Sequence, residues 1–592
     1  MGRRIPANAT NPQLTILLTR TPSPYEDGRM SETKSPLPRE VADRYVADLI
    51  DLDPLIGTYL GVKESHSKLP DTSPAGHEAH AELIRATLAR LDEAERQPGA
   101  DQDIERRCGR LLRERLTAEL DVIEADEPLR WVGNLHTAPH SVREVFTITP
   151  TETDEDWAVV AERLRAVPAA FAGYRESLEL GLERKLHSAP RPTATFVDQL
   201  TEWTDSDGKG RGWFEEFASA GPEALRTELD EAAVAASRAV VELRDWMRDV
   251  YAPAIEGSSN TVGRERYARF SRHFNGTDLD LDEAYAYGWA EYHRLLGEMR
   301  AEAEKVLPGA ATPWAALAHL DEHGTHIEGV EEVRVWLQGV MDEAIEALDG
   351  THFELAERVR KVESRIAPPG GAAAPYYTSP SEDFSRPGIT WLPTMGQTRF
   401  PVYDLVSTWY HEGVPGHHLQ LAQWTHVAEN LSRYQATIGW VSANCEGWAL
   451  YAERLMDELG FLTDAERRLG YLDAQMMRAA RVIVDIGMHL ELEIPAESPF
   501  HPGERWTPEL AQEFFAAHSS RPADFVESEL TRYLTIPGQA IGYKLGERAW
   551  LLGRENARKR HGDAFDAKAW HMAALSQGSL GLDDLVDELS QL

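Results

Sequence analysis

Cysteine is nearly absent: Cys108 and Cys445 are the two in 592 residues, far apart and outside any CxxC spacing. That count excludes a disulfide framework and a cysteine-rich metal centre, and it suits a reducing cytoplasm. Long apolar runs are missing as well; no stretch reaches the roughly 18 to 20 uninterrupted apolar residues of a membrane span. Basic residues are scarce beside acidic ones, 61 against 98, for a formal net charge of −37. A surface that acidic repels phosphate backbones and anionic lipid, so neither nucleic acid nor membrane is an expected partner. No fixed repeat period recurs, which excludes a solenoid.

The N-terminus carries an Arg pair and a short apolar patch, Leu14–Leu18, but no convincing secretory signal. Pro6 stands where the myristoylation pattern requires Ser or Thr. Residues 1–38 read as a disordered extension, with Met30 as an alternative start.

What is present is overwhelmingly helical. Stretches such as REVADRYVADLIDLDP and DEDWAVVAERLRAVPAAFAGYRESLELGLERK place apolar residues at three- and four-residue steps with charges between them. At 42% hydrophobic and 27% charged, the chain has the balance of a globular protein. We expect a mainly α fold, with residues 39–592 forming one helical domain: an N-terminal lobe over about 39–366 and a catalytic part over about 367–592. The segment Ala367–Phe400 breaks the pattern, being rich in Pro, Gly, Ser and Thr. Within it, residues 374–378 and 388–392 are expected to pair as strands, the only sheet in the reading. Helices are expected to resume over 403–424, 431–459 and 465–492. Pro508, Pro522 and Pro537 stand just ahead of three more.

Chemistry concentrates in STWYHEGVPGHHLQLAQW, residues 407–424. Metal hydrolases commonly place two His one helical turn apart with a Glu beside the first; the imidazoles grip zinc and the Glu takes a proton from water. His411-Glu412 supplies the first half, but the next His are His417 and His418, six and seven residues on. At about 100° per residue, an unbroken helix turns His417 away from His411 and sets His418 about 10 Å further along the axis. Gly413-Val414-Pro415-Gly416 offers a way out, because Pro415 cannot donate a helical hydrogen bond to the carbonyl of His411. A bulge or short loop there would absorb two residues and leave either His417 or His418 as second ligand. A third ligand is then required, and SANCEGWALYAERLMDELG supplies Glu446. Glu453, seven residues later on the same face, either orients a ligand His or forms a structural salt bridge.

The blocks HEGVPGHHLQ, NCEGWALYAERL, RAARVIVDIGMH and RYLTIPGQAIGYKLG, with DLDPLIGTYLGV at residues 51–62, resemble the bacterial domain-of-unknown-function family 885 (DUF885). That family is in turn distantly similar to helical gluzincin metallopeptidases such as carboxypeptidase Taq, the thimet-type oligopeptidases and angiotensin-converting enzyme. The resemblance implies a two-lobed helical body around a deep cleft, with the small sheet beside the active-site helix. It also implies His411, His417 and Glu446 as ligands of one zinc ion, since a Gly precedes the second zinc His in those enzymes. Tyr543 resembles the Tyr that supports their tetrahedral intermediate.

Further candidates share these blocks. Arg481, Asp485 and His489, four residues apart, lie along one helix face. His489 is a candidate oxyanion donor, held by Asp485 or replaced by Arg481. Arg478, Arg532 and Lys544 are candidate docks for a substrate carboxylate, and Tyr376 and Tyr377 lie on a strand edge that could pair with an extended peptide. The expected function is zinc-dependent hydrolysis of peptide or other amide bonds in short substrates. Glu412 is the expected general base and His489 and Tyr543 the oxyanion partners, in a cytoplasmic enzyme. Other divalent metals suit the same donors. The rival readings are a metal-dependent amidase or lyase of one small metabolite and a catalytically silent metal-binding protein.

Overall fold

The apolar periodicity resolves into helices with identifiable starts and stops in a computed structural model that describes residues 35–205, 208–367 and 374–592. Thr153 accepts from the Asp156 N–H while the Asp156 carboxylate accepts from Thr153, a reciprocal cap that opens the 30-residue helix Asp154–Glu183. Asp280 caps Leu281–Val306 in the same region of sequence, and Gly276, at φ 64°, ends Gly263–Asn275. The expected disordered extension falls largely on residues 1–34, outside the described residues; the first helix begins at Pro38. Among the described residues, no helix is long and apolar enough to cross a membrane.

Among the described residues, two large hydrophobic cores and a small cluster of Trp424, Leu431 and Cys445 organise these helices. The smaller core gathers residues of the 132–255 region, among them Phe146, Leu164, Phe196 and Leu243. The larger runs from Val41 to Leu589 and includes the first helix, the long helix Leu281–Val306 and the whole C-terminal part. The cores therefore do not divide at residue 366: the helices at both ends of the expected N-terminal lobe bury their apolar faces against the C-terminal part.

At the centre lies the helix Ala465–Leu490, buried without interruption from Leu469 to His489. A helix buried all round must satisfy each polar side chain it carries. Asp473 accepts from Trp314 and Ser520, Gln475 from Lys544, and Asp485 from Tyr267.

Among the described residues, five short strands form two sheets. β1 (His326–Glu328) pairs antiparallel with β5 (Arg399–Pro401). β2 (Val362–Ile366) lies parallel to β4 (Gly388–Leu392), which also pairs antiparallel with β3 (Tyr376–Thr378), giving the order β2-β4-β3. The β3–β4 pairing was expected; β2 and the β1–β5 ribbon were not. β5 runs straight into the helix Val402–Glu412, and Trp409 of that helix donates to Ser364 of β2 at 3.0 Å. The sheets thus hold the helix that bears His411 and Glu412.

The expected helix over 431–459 is two, Arg433–Thr437 and Ser442–Glu458, broken around Gly439. The break puts Glu446 in the early turns of the second. That helix crosses Gly542–His561 with almost no side-chain spacer, since a Cβ on Gly447 would lie 2.4 Å from the Gly546 Cα. Backbone contact at this point brings Tyr543 up to the same face as Glu446. Gly447→Val is expected to destabilise the protein by about 1–3 kcal/mol or to block folding. Denaturant unfolding would show this, and an unchanged midpoint would mean the crossing tolerates a side chain.

Candidate functional site

The helix bearing His411 stops at Glu412, and a new one begins at His417. The four residues between them form a tight loop in which the Gly416 N–H donates to the Tyr410 carbonyl at 3.0 Å. A Cβ on Gly416 would lie 2.0 Å from the His411 carbonyl oxygen, so only glycine fits. Trp448 donates its indole N–H to the carbonyls of Pro415 and Gly416, at 2.9 and 3.1 Å. The loop expected at Pro415 is therefore real, and it is tied to the helix that carries Glu446.

One nitrogen from each of His411 and His417 and one Glu446 oxygen all lie within 4.8 Å of one another. Both imidazole Nε2 atoms stand 3.4 Å from Glu446 Oε2, and the rings are almost perpendicular, 86° apart with centroids at 4.8 Å. Behind His411, Glu453 accepts from Nδ1 at 2.8 Å and from the Ser407 hydroxyl at 2.5 Å. Ser407 is one turn before His411 on the same face, so its part in the site was open to a helical-face reading that we did not make.

Burial disfavours charge on His411, yet Glu446 and Glu453 raise it to about 9. Burial likewise opposes ionisation of Glu446 and Glu453. The facing imidazoles nevertheless hold Glu446 well below the usual carboxylate range, and Arg478, His411 and Ser407 lower Glu453. Glu412 behaves differently: its burial outweighs the two His, and its pKa rises.

Two features fit a divalent cation. The set of two imidazoles and a carboxylate is one that binds zinc and similar ions. Glu446 Oε2, moreover, is buried at the point of convergence without a hydrogen-bond partner, an arrangement that is costly unless a positive charge sits there.

His418 is not part of this cluster. It is fully buried, donates from Nε2 to the Val359 carbonyl at 2.6 Å, and accepts at Nδ1 from the Tyr377 hydroxyl at 2.9 Å. Burial lowers it to about 4, so it stays neutral and ties its helix to β3. The Tyr377 hydroxyl is thereby committed to the fold, although the residue lines the cleft.

The cluster opens onto a cavity of about 2290 Å³ whose walls include Glu412, Tyr543, Arg478, Arg481, Arg532 and β3. The Tyr543 ring stacks toward His411, with centroids 6.4 Å apart and planes at 18°. Burial, then the nearby Glu446 charge, pushes its hydroxyl up to about 12. Arg481 lies over the same ring at 4.8 Å and pairs with Glu529 and the Tyr533 hydroxyl. Glu529 and Tyr533 were not singled out from sequence, because nothing in a 48-residue separation marks Arg481 and Glu529 as partners. Cys445 also lines the cavity, but burial pushes its thiol well above the usual range, away from nucleophilic use.

Two expected participants are elsewhere. His489 does not line the cavity: it accepts at Nδ1 from the Val262 N–H at 3.3 Å and donates from Nε2 to the Tyr533 carbonyl at 3.0 Å. With both nitrogens engaged and its pKa lowered by burial to about 4, it is a neutral structural group and offers no hydrogen bond to an oxyanion. Lys544 is fully buried among Gln475, Glu547 and Glu291, so it cannot dock a substrate carboxylate. Asp485, beside His489 at 3.7 Å, accepts from Tyr267 and from the Gly538 N–H instead of orienting a catalytic imidazole.

The family model described as "Bacterial protein of unknown function (DUF885)" matches residues 54–589. Among curated proteins, none matches this sequence. Among the solved structures that share the fold are two given by their own descriptions. One is of a "putative lipoprotein" from Colwellia psychrerythraea, with TM-score 0.80, 21% identity, and coverage of 94% of this chain and 98% of that one. The other, from Shewanella oneidensis and described in the same words as of unknown function, has TM-score 0.72, 19% identity and coverage of 93% and 99%.

Two predictions follow from these contacts. Glu453→Gln removes the charge that fixes His411 and is expected to weaken zinc binding about 10- to 100-fold. Competition with a chromogenic chelator measures this, and unchanged affinity would make Glu453 a structural ion only. Asp485 is raised by burial to about 7, above its unfolded value near 3.9. Its stabilising, protonated form is fully present below pH of about 4 and is lost as pH rises through about 7. Asp485→Asn should therefore flatten the fall in melting temperature between about pH 4 and pH 7, whereas an identical pH profile in both proteins would refute the assignment.

Proposed function

This chain belongs to the bacterial family of unknown function DUF885, and from that premise we propose that it is a metal-dependent hydrolase of peptide or other amide bonds, with zinc as its ion. One observation carries the reading: His411, His417 and Glu446 converge on the wall of a large cavity, with Glu412 next in sequence to the first of them. Structural zinc sites are closed by four protein ligands, whereas catalytic ones keep three and an open position. Among the described residues, three donors converge here and the space beside them is open.

When bound, a divalent cation at this cradle supplies Lewis acidity toward a carbonyl and makes water more acidic. The chain's own groups do the rest. Glu412, its pKa raised by burial, is suited to accept a proton from water and return it to the leaving amine. Tyr543, held protonated at neutral pH, is suited to donate to a developing oxyanion in the place first considered for His489. Glu453 and Ser407 hold His411 in one orientation and one tautomer.

The cavity exceeds the roughly 300–1,000 Å³ of a typical small-molecule pocket, which favours a chain of several residues over one small metabolite. β3, at the end of the sheet order and on the cavity wall, offers backbone groups to an extended substrate. The two buried, unpaired cysteines support a reducing compartment, and we propose the cytoplasm as the protein's location. The lipoprotein description belongs to the two structural neighbours.

The test is a mixed peptide library offered to zinc-loaded protein. Cleavage is expected, and Glu412→Gln should lower its rate about 10²- to 10⁴-fold while zinc content stays at one ion per chain. Full activity in Glu412→Gln, or no zinc bound, would end the proposal.

A further inference from the structure

Six arginines line the cavity; Arg386 and Arg399 are exposed, and of the other four, three are held by a carboxylate at hydrogen-bond distance. Arg521 meets both oxygens of Asp404, at 3.0 and 3.2 Å. Arg481 and Arg532 share Glu529, each at 2.7 Å. Arg478 differs. The one carboxylate oxygen within 4 Å of it among the described residues is Glu453 Oε1, at 3.8 Å, and that oxygen already accepts from His411. One Arg478 terminal nitrogen donates to the Ala474 carbonyl, and its Nε is buried without a partner.

A guanidinium cannot escape this position by losing its proton. Arg478 is only 9% exposed, so its charge is largely cut off from water, and burying an incompletely paired cation is costly. Around it the balance is also positive: Arg481 and Arg532 share the single charge of Glu529, and Glu453, the carboxylate nearest Arg478, is already engaged by His411 and Ser407. An anion arriving through the cavity would complete the set.

The Tyr543 ring sets the distance to the cradle. Its centroid lies 6.0 Å from the Arg478 guanidinium carbon and 6.4 Å from the centre of the His411 ring. Arg478 also comes within 3.8 Å of the Glu453 oxygen that holds His411 at 2.8 Å, so the guanidinium stands beside the cradle. At about 3.3–3.6 Å per residue of extended peptide, a carboxylate bound there falls within the first two residues beyond a carbonyl at the cradle. We propose that Arg478, assisted by Arg481, is a carboxylate-binding subsite that recognises the substrate on the leaving-group side, so that the enzyme removes one or two residues from a C-terminus. This rests on the hydrolase reading. The carboxylate could also come from an acidic side chain near the cut, and the experiment separates these sources.

Zinc-loaded Glu412→Gln protein is offered three pools of tripeptides, and affinity is read by equilibrium binding without turnover. The pools are neutral peptides with free C-termini, the same peptides amidated, and amidated peptides ending in Asp or Glu. The free acids are expected to bind about 30-fold more tightly than their amides. Adding Arg478→Ala should erase that preference while amide binding holds, and Arg478→Lys should restore part of it. Tight binding of the amidated acidic peptides but not of neutral free acids would overturn C-terminal recognition in favour of a side-chain carboxylate. Equal binding of acids and amides, or equal losses of both in Arg478→Ala, would overturn the subsite and leave Arg478 as a counter-charge to Glu453. Wild-type protein is assayed for cleavage in parallel: a free-acid preference without cleavage would support the subsite while removing the hydrolase reading.

Discussion

The buried hydrogen bond between His411 and Glu453 is the contact on which the cleft depends. Glu453 has no exposure to water, so its charge must be answered inside the protein, and the direct bonds from His411 and Ser407 answer it. With Nδ1 committed to Glu453, the other nitrogen of His411 is left facing Glu446 and His417. The raised pKa of His411 reports the same field: three carboxylates surround two imidazoles and favour a positive charge at the cradle.

That contact is possible because two backbone constraints meet beside it. The glycine loop after Glu412 lets His417 turn back toward His411, and the indole of Trp448 locks the loop to the helix of Glu446. The glycine crossing at Gly447 and Gly546 then delivers Tyr543 to the same face. A few residues without side chains thus set distances that no flexible side chain could hold.

The central helix extends the logic through the larger core. Arg478 and Arg481 line the cavity, while Asp473, Asp485 and His489 find partners within the fold. All of these lie on a helix buried on every side, and spacing alone does not separate them. This is why His489 looked like an oxyanion donor: it shares a helix with Arg478 and Arg481, but it sits two to three turns further along, past the end of the cleft. Lys544 misled for a related reason. It adjoins Tyr543, yet consecutive helical residues point about 100° apart, and it turns into the core.

Local chemistry was enough for much of the molecule. Helical periodicity, the β3–β4 pairing, the interruption at Pro415 and the two-turn spacing of Glu446 and Glu453 all follow from interactions between near neighbours in the chain. Tertiary structure decided what depends on distant partners: the parallel strand β2, the split of the cores, the turning of His418 into the sheet, and the isolation of Arg478 from a carboxylate of its own. Whether a buried charge is paired or free is set by groups that packing brings together from far along the chain, and no local pattern records that.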